Sequence, residues 1–121
     1  MKILLVDDSR AQRFIEKKIL TDKGVAESAI DEAPNGAEAL NKAKAENYSL
    51  IILDWNMPEM DGLAFGKRLR EEGLSTPVIM VTSEGEKSKI DAALAAGIND
   101  FITKPLDADQ FWEKARAYLE S

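Results

Sequence analysis

Short apolar runs alternate along this chain with stretches whose apolar residues recur every three or four positions. Ile3 to Val6 is such a run, closed by Asp7-Asp8-Ser9, which predicts a strand followed by a helix cap. Ala11, Phe14, Ile15 and Ile19 then recur at helical spacing, and Gly24 fits the helix end. Ser28 to Ala33 predicts a weaker strand, closed by the turn signal Pro34-Asn35-Gly36. Ala37 to Ala45 predicts a helix of good helix formers whose buried stripe is Ala39, Leu40 and Ala43. Leu50-Ile51-Ile52-Leu53 suits a strand buried on both faces of a parallel sheet, and it ends abruptly in Asp54.

Beyond the loop Met57-Pro58-Glu59-Met60, Asp61 is placed to cap a helix from Gly62 to about Glu72, ended by Gly73. Pro77 to Thr82 predicts the next strand. Ser83 to Glu86 matches a capping box, opening a helix that carries Ile90, Ala93 and Leu94 inward and stops at Gly97. Asp100 to Thr103 predicts a fifth strand, followed by Lys104-Pro105. A last helix from about Ala108 to Leu119 presents Phe111, Trp112, Ala115 and Leu119 on one stripe. Five strands alternating with five helices specify right-handed βαβ units and a doubly wound parallel sheet of the α/β class. With no repeat, low-complexity tract or linker, the expectation is one domain over residues 1–121.

Composition narrows this picture. The 121 residues are 45% hydrophobic and 31% charged, an ordinary globular balance. A net charge of −6 argues against a nucleic-acid partner, whose phosphates call for a basic stripe. No apolar run approaches a membrane-spanning length, and Met1 to Val6 is too short for a signal peptide, so no membrane partner and a cytoplasmic location are expected. The absence of cysteine removes disulfides, thiolate metal sites and a cysteine nucleophile; the absence of histidine removes the commonest general base. Chemistry must rest on carboxylates, hydroxyls, lysines and a hard cation.

Ligands in open α/β sheets sit outside the carboxyl ends of the strands. Those ends, for the first, third, fourth and fifth strands, are Asp7-Asp8, Asp54, Thr82-Ser83 and Lys104. Clustered carboxylates repel unless a cation neutralises them, and oxygen-only ligands suit Mg²⁺ or Mn²⁺. A carboxylate is a competent nucleophile toward a phosphoryl group, and a metal and a lysine can neutralise charge on the transferring oxygens. Singly, each residue has a plainer explanation: Asp7, Asp8 and Ser83 as helix caps, Asp54 as a turn acid, Lys104 as a solvated lysine, Phe101 as core. Their conjunction at four strand ends, in order, selects phosphoryl acceptance.

These residues, with the string Asp54-Trp55-Asn56-Met57-Pro58, make the whole chain resemble a response-regulator receiver domain of two-component signalling, the chemotaxis regulators in particular. The resemblance, not the pattern, implies a flavodoxin-like three-layer αβα fold with strand order 2-1-3-4-5. It also implies Asp54 as phospho-acceptor, Asp7 and Asp8 as the acidic metal pair, and Asn56 as donor of a backbone carbonyl to Mg²⁺. Thr82 is then the switch hydroxyl, Lys104 the active-site lysine, and Phe101 the aromatic switch, here without the hydroxyl of a tyrosine. Asn56 and Glu84 fall at the positions that tune dephosphorylation, and the bond before Pro105 is cis. Ile90, Phe101, Thr103, Ala108 and Lys114 fall on the output face of the fourth helix, fifth strand and fifth helix.

Lacking histidine, the chain cannot be its own phosphohistidine donor, so a sensor histidine kinase, a phosphotransfer protein or a small acyl phosphate is implied. The expected reading is a monomeric, stand-alone regulator that catalyses only its own phosphorylation and dephosphorylation, with an output partner such as a flagellar motor switch component. A phosphorelay intermediate is the alternative. A haloacid-dehalogenase-type phosphatase fits less well, because it wants an early nucleophile and a second aspartate two residues later, where Asn56 stands. A receiver fold used purely for binding would show a damaged site, and a nucleotide-binding domain would need a glycine-rich loop after the first strand.

Overall fold

The computed structural model describes residues 1–55, 57, 60–83 and 87–119. Its strands are β1 (Ile3–Val6), β2 (Ile30–Ala33), β3 (Leu50–Asp54), β4 (Val78–Thr82) and β5 (Asp100–Thr103). Between and after them run α1 (Arg10–Asp22), α2 (Gly36–Ala45), α3 (Gly62–Glu71), α4 (Lys87–Ala95) and α5 (Ala108–Leu119). All strands pair in parallel in the order β2-β1-β3-β4-β5, as the family resemblance implied.

Strand alternation divides the core in two. Leu4, Val6, Ile51, Leu53, Val78 and Met80 face Leu40, Phe65, Leu69 and Ala93, from α2, α3 and α4. Ile3, Leu5, Leu50, Ile52, Ile79 and Val81 face Leu20, Phe111 and Ala115, from α1 and α5. The three central strands are therefore wholly buried, which is why they read as unbroken apolar runs. Local chemistry sets the helix starts: Ser9, Asn35 and Asp61 each accept the backbone N–H three residues on, from Gln12, Glu38 and Ala64. At Gly62 the entry to α3 crosses the tip of β3 so closely that a Cβ would lie 3.2 Å from the Trp55 Cα and 3.3 Å from the Asp54 carbonyl oxygen.

Several local expectations are corrected. Phe14 and Ile15 do not form the inner stripe of α1; they are 64% and 47% exposed, while Glu16 and Leu20 face the sheet. The helix is turned so that Leu20 enters the α1–α5 core and Arg13 reaches the Asp7 carbonyl and Glu32. Leu94 is half exposed, because the small Ala93 is the residue of α4 that meets the sheet. Residues 27–29 form a 3₁₀ turn, so β2 begins at Ile30 rather than Ser28, and β4 begins at Val78. The capping box through Glu86 falls outside the described residues.

Candidate functional site

The ends of β1, β3, β4 and β5 lie side by side. Four polar or charged residues are buried among the described residues: Asp7, Asp54 and Thr82 at strand ends, and Glu16 on α1. Register fixes their spacing, since Leu53 is level with Val6 and Met80, Asp54 with Val81, and Thr82 with Thr103. The sheet pattern runs on past these ends: Asp7 N–H donates to the Ala33 carbonyl at 3.2 Å, Trp55 N–H to Val81 at 3.1 Å, and Lys104 N–H to Thr82 at 2.8 Å.

Asp7, Asp8 and Asp54 each present a carboxylate oxygen, and these oxygens lie within 4.8 Å of one another. Asp7 and Asp54 are buried and Asp8 is exposed, so the group opens to solvent on one side. Lys104 Nζ stands 3.4 Å from Asp54 Oδ1. Asp7 Oδ1 accepts the Ser9 N–H at 2.8 Å, but its Oδ2 is buried without a hydrogen-bond partner. Burial raises the Asp7 carboxyl to about 6; the Ser9 N–H opposes that rise and the Asp54 charge adds to it. Three oxygen donors converging on one point, one of them with a buried oxygen lacking a donor, fit a hard divalent cation in chemistry and in charge. Asn56 and Glu84 lie outside the described residues.

On the β4–β5 side, Thr82 closes a narrow hollow with Trp55, Met80, Ile90, Ala93 and Phe101. Phe101 is half-buried against the core, and Lys114 on α5 reaches over its ring. Ile90 and Thr103 are half-buried on the same side and Ala108 is exposed. The Lys104–Pro105 bond is cis.

Sequence reasoning missed Glu16. It is 1% exposed; its Oε2 accepts from the Gln12 side chain at 3.2 Å, and its Oε1 has no partner. Burial pushes its carboxyl up to about 8, and the charges of Asp7 and Asp54 push the same way while Lys104 opposes them. Glu16 thus belongs electrically to the strand-end acids, although α1 carries it. Its signal was the helical row Gln12–Glu16–Leu20, which the more apolar residues 11, 14, 15 and 19 obscured.

The family described as "Response regulator receiver domain" matches residues 3–116. The chain belongs to that family. It is 44% identical over 122 residues to the chemotaxis protein CheY homolog of Campylobacter jejuni, spanning 98% of this chain and 92% of the relative. Chemotaxis protein CheY4 of Vibrio cholerae shares the fold with a TM-score of 0.88 at 32% identity, over 97% of each chain. A two-component response regulator from Clostridium difficile gives 0.89 at 31% identity, over 99% of this chain and 96% of that one. CheY-like receivers are signalling proteins rather than enzymes acting on outside substrates. Among the described residues, no helix is long and apolar enough to cross a membrane.

Proposed function

We propose that this chain is a single receiver unit that accepts a phosphoryl group on Asp54 from a phosphohistidine donor and acts in chemotaxis. The observation that carries this reading is the convergence on buried Asp54 of Lys104, at 3.4 Å, and of Asp7 and Asp8, with acid oxygens within 4.8 Å. A carboxylate oxygen of Asp54 attacks the phosphorus, a P–O bond forms, the P–N bond to the donor imidazole breaks, and that ring leaves with the electron pair and is reprotonated. Lys104 faces the phosphoryl oxygens, Thr82 offers its hydroxyl to the product, and the low exposure of Asp54 limits competing water. Asp7, Asp8, Asp54 and the Asn56 carbonyl would hold Mg²⁺, which supplies charge neutralisation on the transferring group.

The added charge then biases Thr82 and Phe101 and changes partner preference on the face bearing Ile90, Phe101, Thr103, Ala108 and Lys114. A histidine kinase or phosphotransfer protein is the donor, and a motor-switch component the output partner; the CheY name of the Campylobacter relative supports that direction. The test is a titration of Mg²⁺, then beryllofluoride, followed by Trp55 fluorescence in a Trp112→Phe background. Two successive saturable changes are expected, and a flat response to both overturns the reading. Ile90→Ser with Ala108→Asp should abolish phosphorylation-dependent capture of the output partner; intact capture removes the face from the proposal.

A further inference from the structure

Among the described residues, β5 is an edge strand paired with β4 alone, so part of its backbone faces away from the sheet. Side chains cover Phe101 there. Its N–H donates to Asp100 Oδ1 at 2.8 Å, and its carbonyl accepts from Lys114 Nζ at 2.9 Å. The same ammonium is 3.0 Å from Asp100 Oδ1, which closes a loop of three contacts around one peptide. Satisfying an edge accounts for those contacts. It does not account for the fourth, in which Lys114 Nζ stands 5.0 Å from the centroid of the Phe101 ring, within cation–π range.

Its ties to Asp100 and to the Phe101 carbonyl fix the ammonium in place, so it can touch the ring only where the ring now lies. A contact made in one state and not the other shifts the equilibrium between them by its differential free energy. Phe101 also lines the narrow hollow shared with Trp55, Thr82 and Ile90, so the ring lies between the Lys114 ammonium and the neighbourhood of the Thr82 hydroxyl. We propose that Lys114 is a positioning residue for Phe101, a clasp that holds the ring in its resting place and opposes activation. The proposal deepens the phospho-acceptor reading and rests on it for the direction of the switch.

By reciprocity, a ligand that favours the ring away from Lys114 must bind more tightly once the clasp is gone. Beryllofluoride with Mg²⁺ is titrated into the parent, Lys114→Met and Lys114→Arg proteins, all as Trp112→Phe, and the Phe101 ring is followed by fluorine NMR of fluorophenylalanine-labelled protein. Lys114→Met should bind about two- to fivefold more tightly, the size of one exposed cation–π contact. Its ligand-free Phe101 resonance should move toward the beryllofluoride-saturated position. Lys114→Arg, which keeps the cation, should stay within about twofold of the parent. An unmoved Phe101 resonance in Lys114→Met overturns the clasp, whatever the affinity does. If the parent fails to bind beryllofluoride, the phospho-acceptor reading falls and the clasp's direction with it, whereas an unmoved ligand-free resonance in Lys114→Met overturns the clasp by itself.

Discussion

The two ends of the one sheet treat their acids in opposite ways. At the amino end, Asp31 accepts from the Tyr48 hydroxyl at 2.7 Å and from Lys2 at 3.4 Å, and Lys2 also reaches Glu46 at 3.1 Å. The Tyr48 hydroxyl, followed by Lys2, holds the Asp31 carboxyl below the ordinary range even as burial opposes it. At the carboxyl end, Asp7 and Glu16 each bury an oxygen with no donor, and both carboxyls are pushed up. Compensation at one end and its absence at the other mark where charge has been left for a ligand to complete. An end built only for stability would look like the Tyr48 end.

The contrast breaks most sharply at Asp54. Asp54→Asn should lose all phosphoryl incorporation from a small acyl phosphate, read by intact mass; retained incorporation would move the acceptor elsewhere. Next in size, Asp8→Asn should weaken Mg²⁺ binding more than about tenfold and so remove about half or more of the metal's stabilisation, which is roughly 2.7 kcal/mol for the parent at a hundredfold excess over Kd. An equal Mg²⁺-induced rise in Tm for parent and variant would remove Asp8 from the site.

The third test uses pH. Asp7 and Glu16 carry raised values, so the folded state keeps protons that the unfolded chain has already lost. Their contribution to stability therefore falls as pH rises from about 4 to about 8, and levels off above that. Metal-free protein should lose Tm across this window, and Mg²⁺ should restore more at about pH 8 than at about pH 5, because the bound ligands must be deprotonated. Glu16→Leu should raise metal-free stability by about 1–3 kcal/mol at pH 8, with the gain shrinking toward pH 5. A gain independent of pH would mean that packing, not charge, is responsible.

The smallest effect belongs to the opposite end. Tyr48→Phe should cost about 1 kcal/mol, since Asp31 is partly exposed, and leave Mg²⁺ affinity unchanged. Asp31 itself titrates the other way: its lowered value gives stability above the unfolded range that is lost as pH falls through the folded one. A change in metal affinity on losing the Tyr48 hydroxyl would show that the two ends are not independent.

Much of this was legible in the chain. Strands β1, β3 and β4 stood out because burial on both faces leaves no polar interruption, and β5 because Gly97 and Lys104-Pro105 bracket it. Asp7, Asp8, Asp54, Thr82 and Lys104 were readable because each ends or follows a strand, where βαβ topology forces convergence. Phe14, Ile15 and Leu94 misled because helical periodicity finds a stripe without saying which way it points. Glu16 escaped because its burial depends on the rotation of α1, and its raised carboxyl on Asp7 and Asp54, which are distant in sequence. Strand order came from the family resemblance, since alternation specifies parallel pairing but not sequence of neighbours.

The register of β3 between β1 and β4 works as a ruler. Parallel strands stand about 4.8 Å apart, so groups mounted on neighbouring strand ends inherit that spacing from the backbone rather than from their own side chains. A slip of β3 by one residue would turn the Asp54 carboxylate to the other face of the sheet and bring Leu53 or Trp55 into its place. The gauge between Asp54, the Asp7–Asp8 pair and Lys104 is thus set by strand register rather than by the helices' outer surfaces.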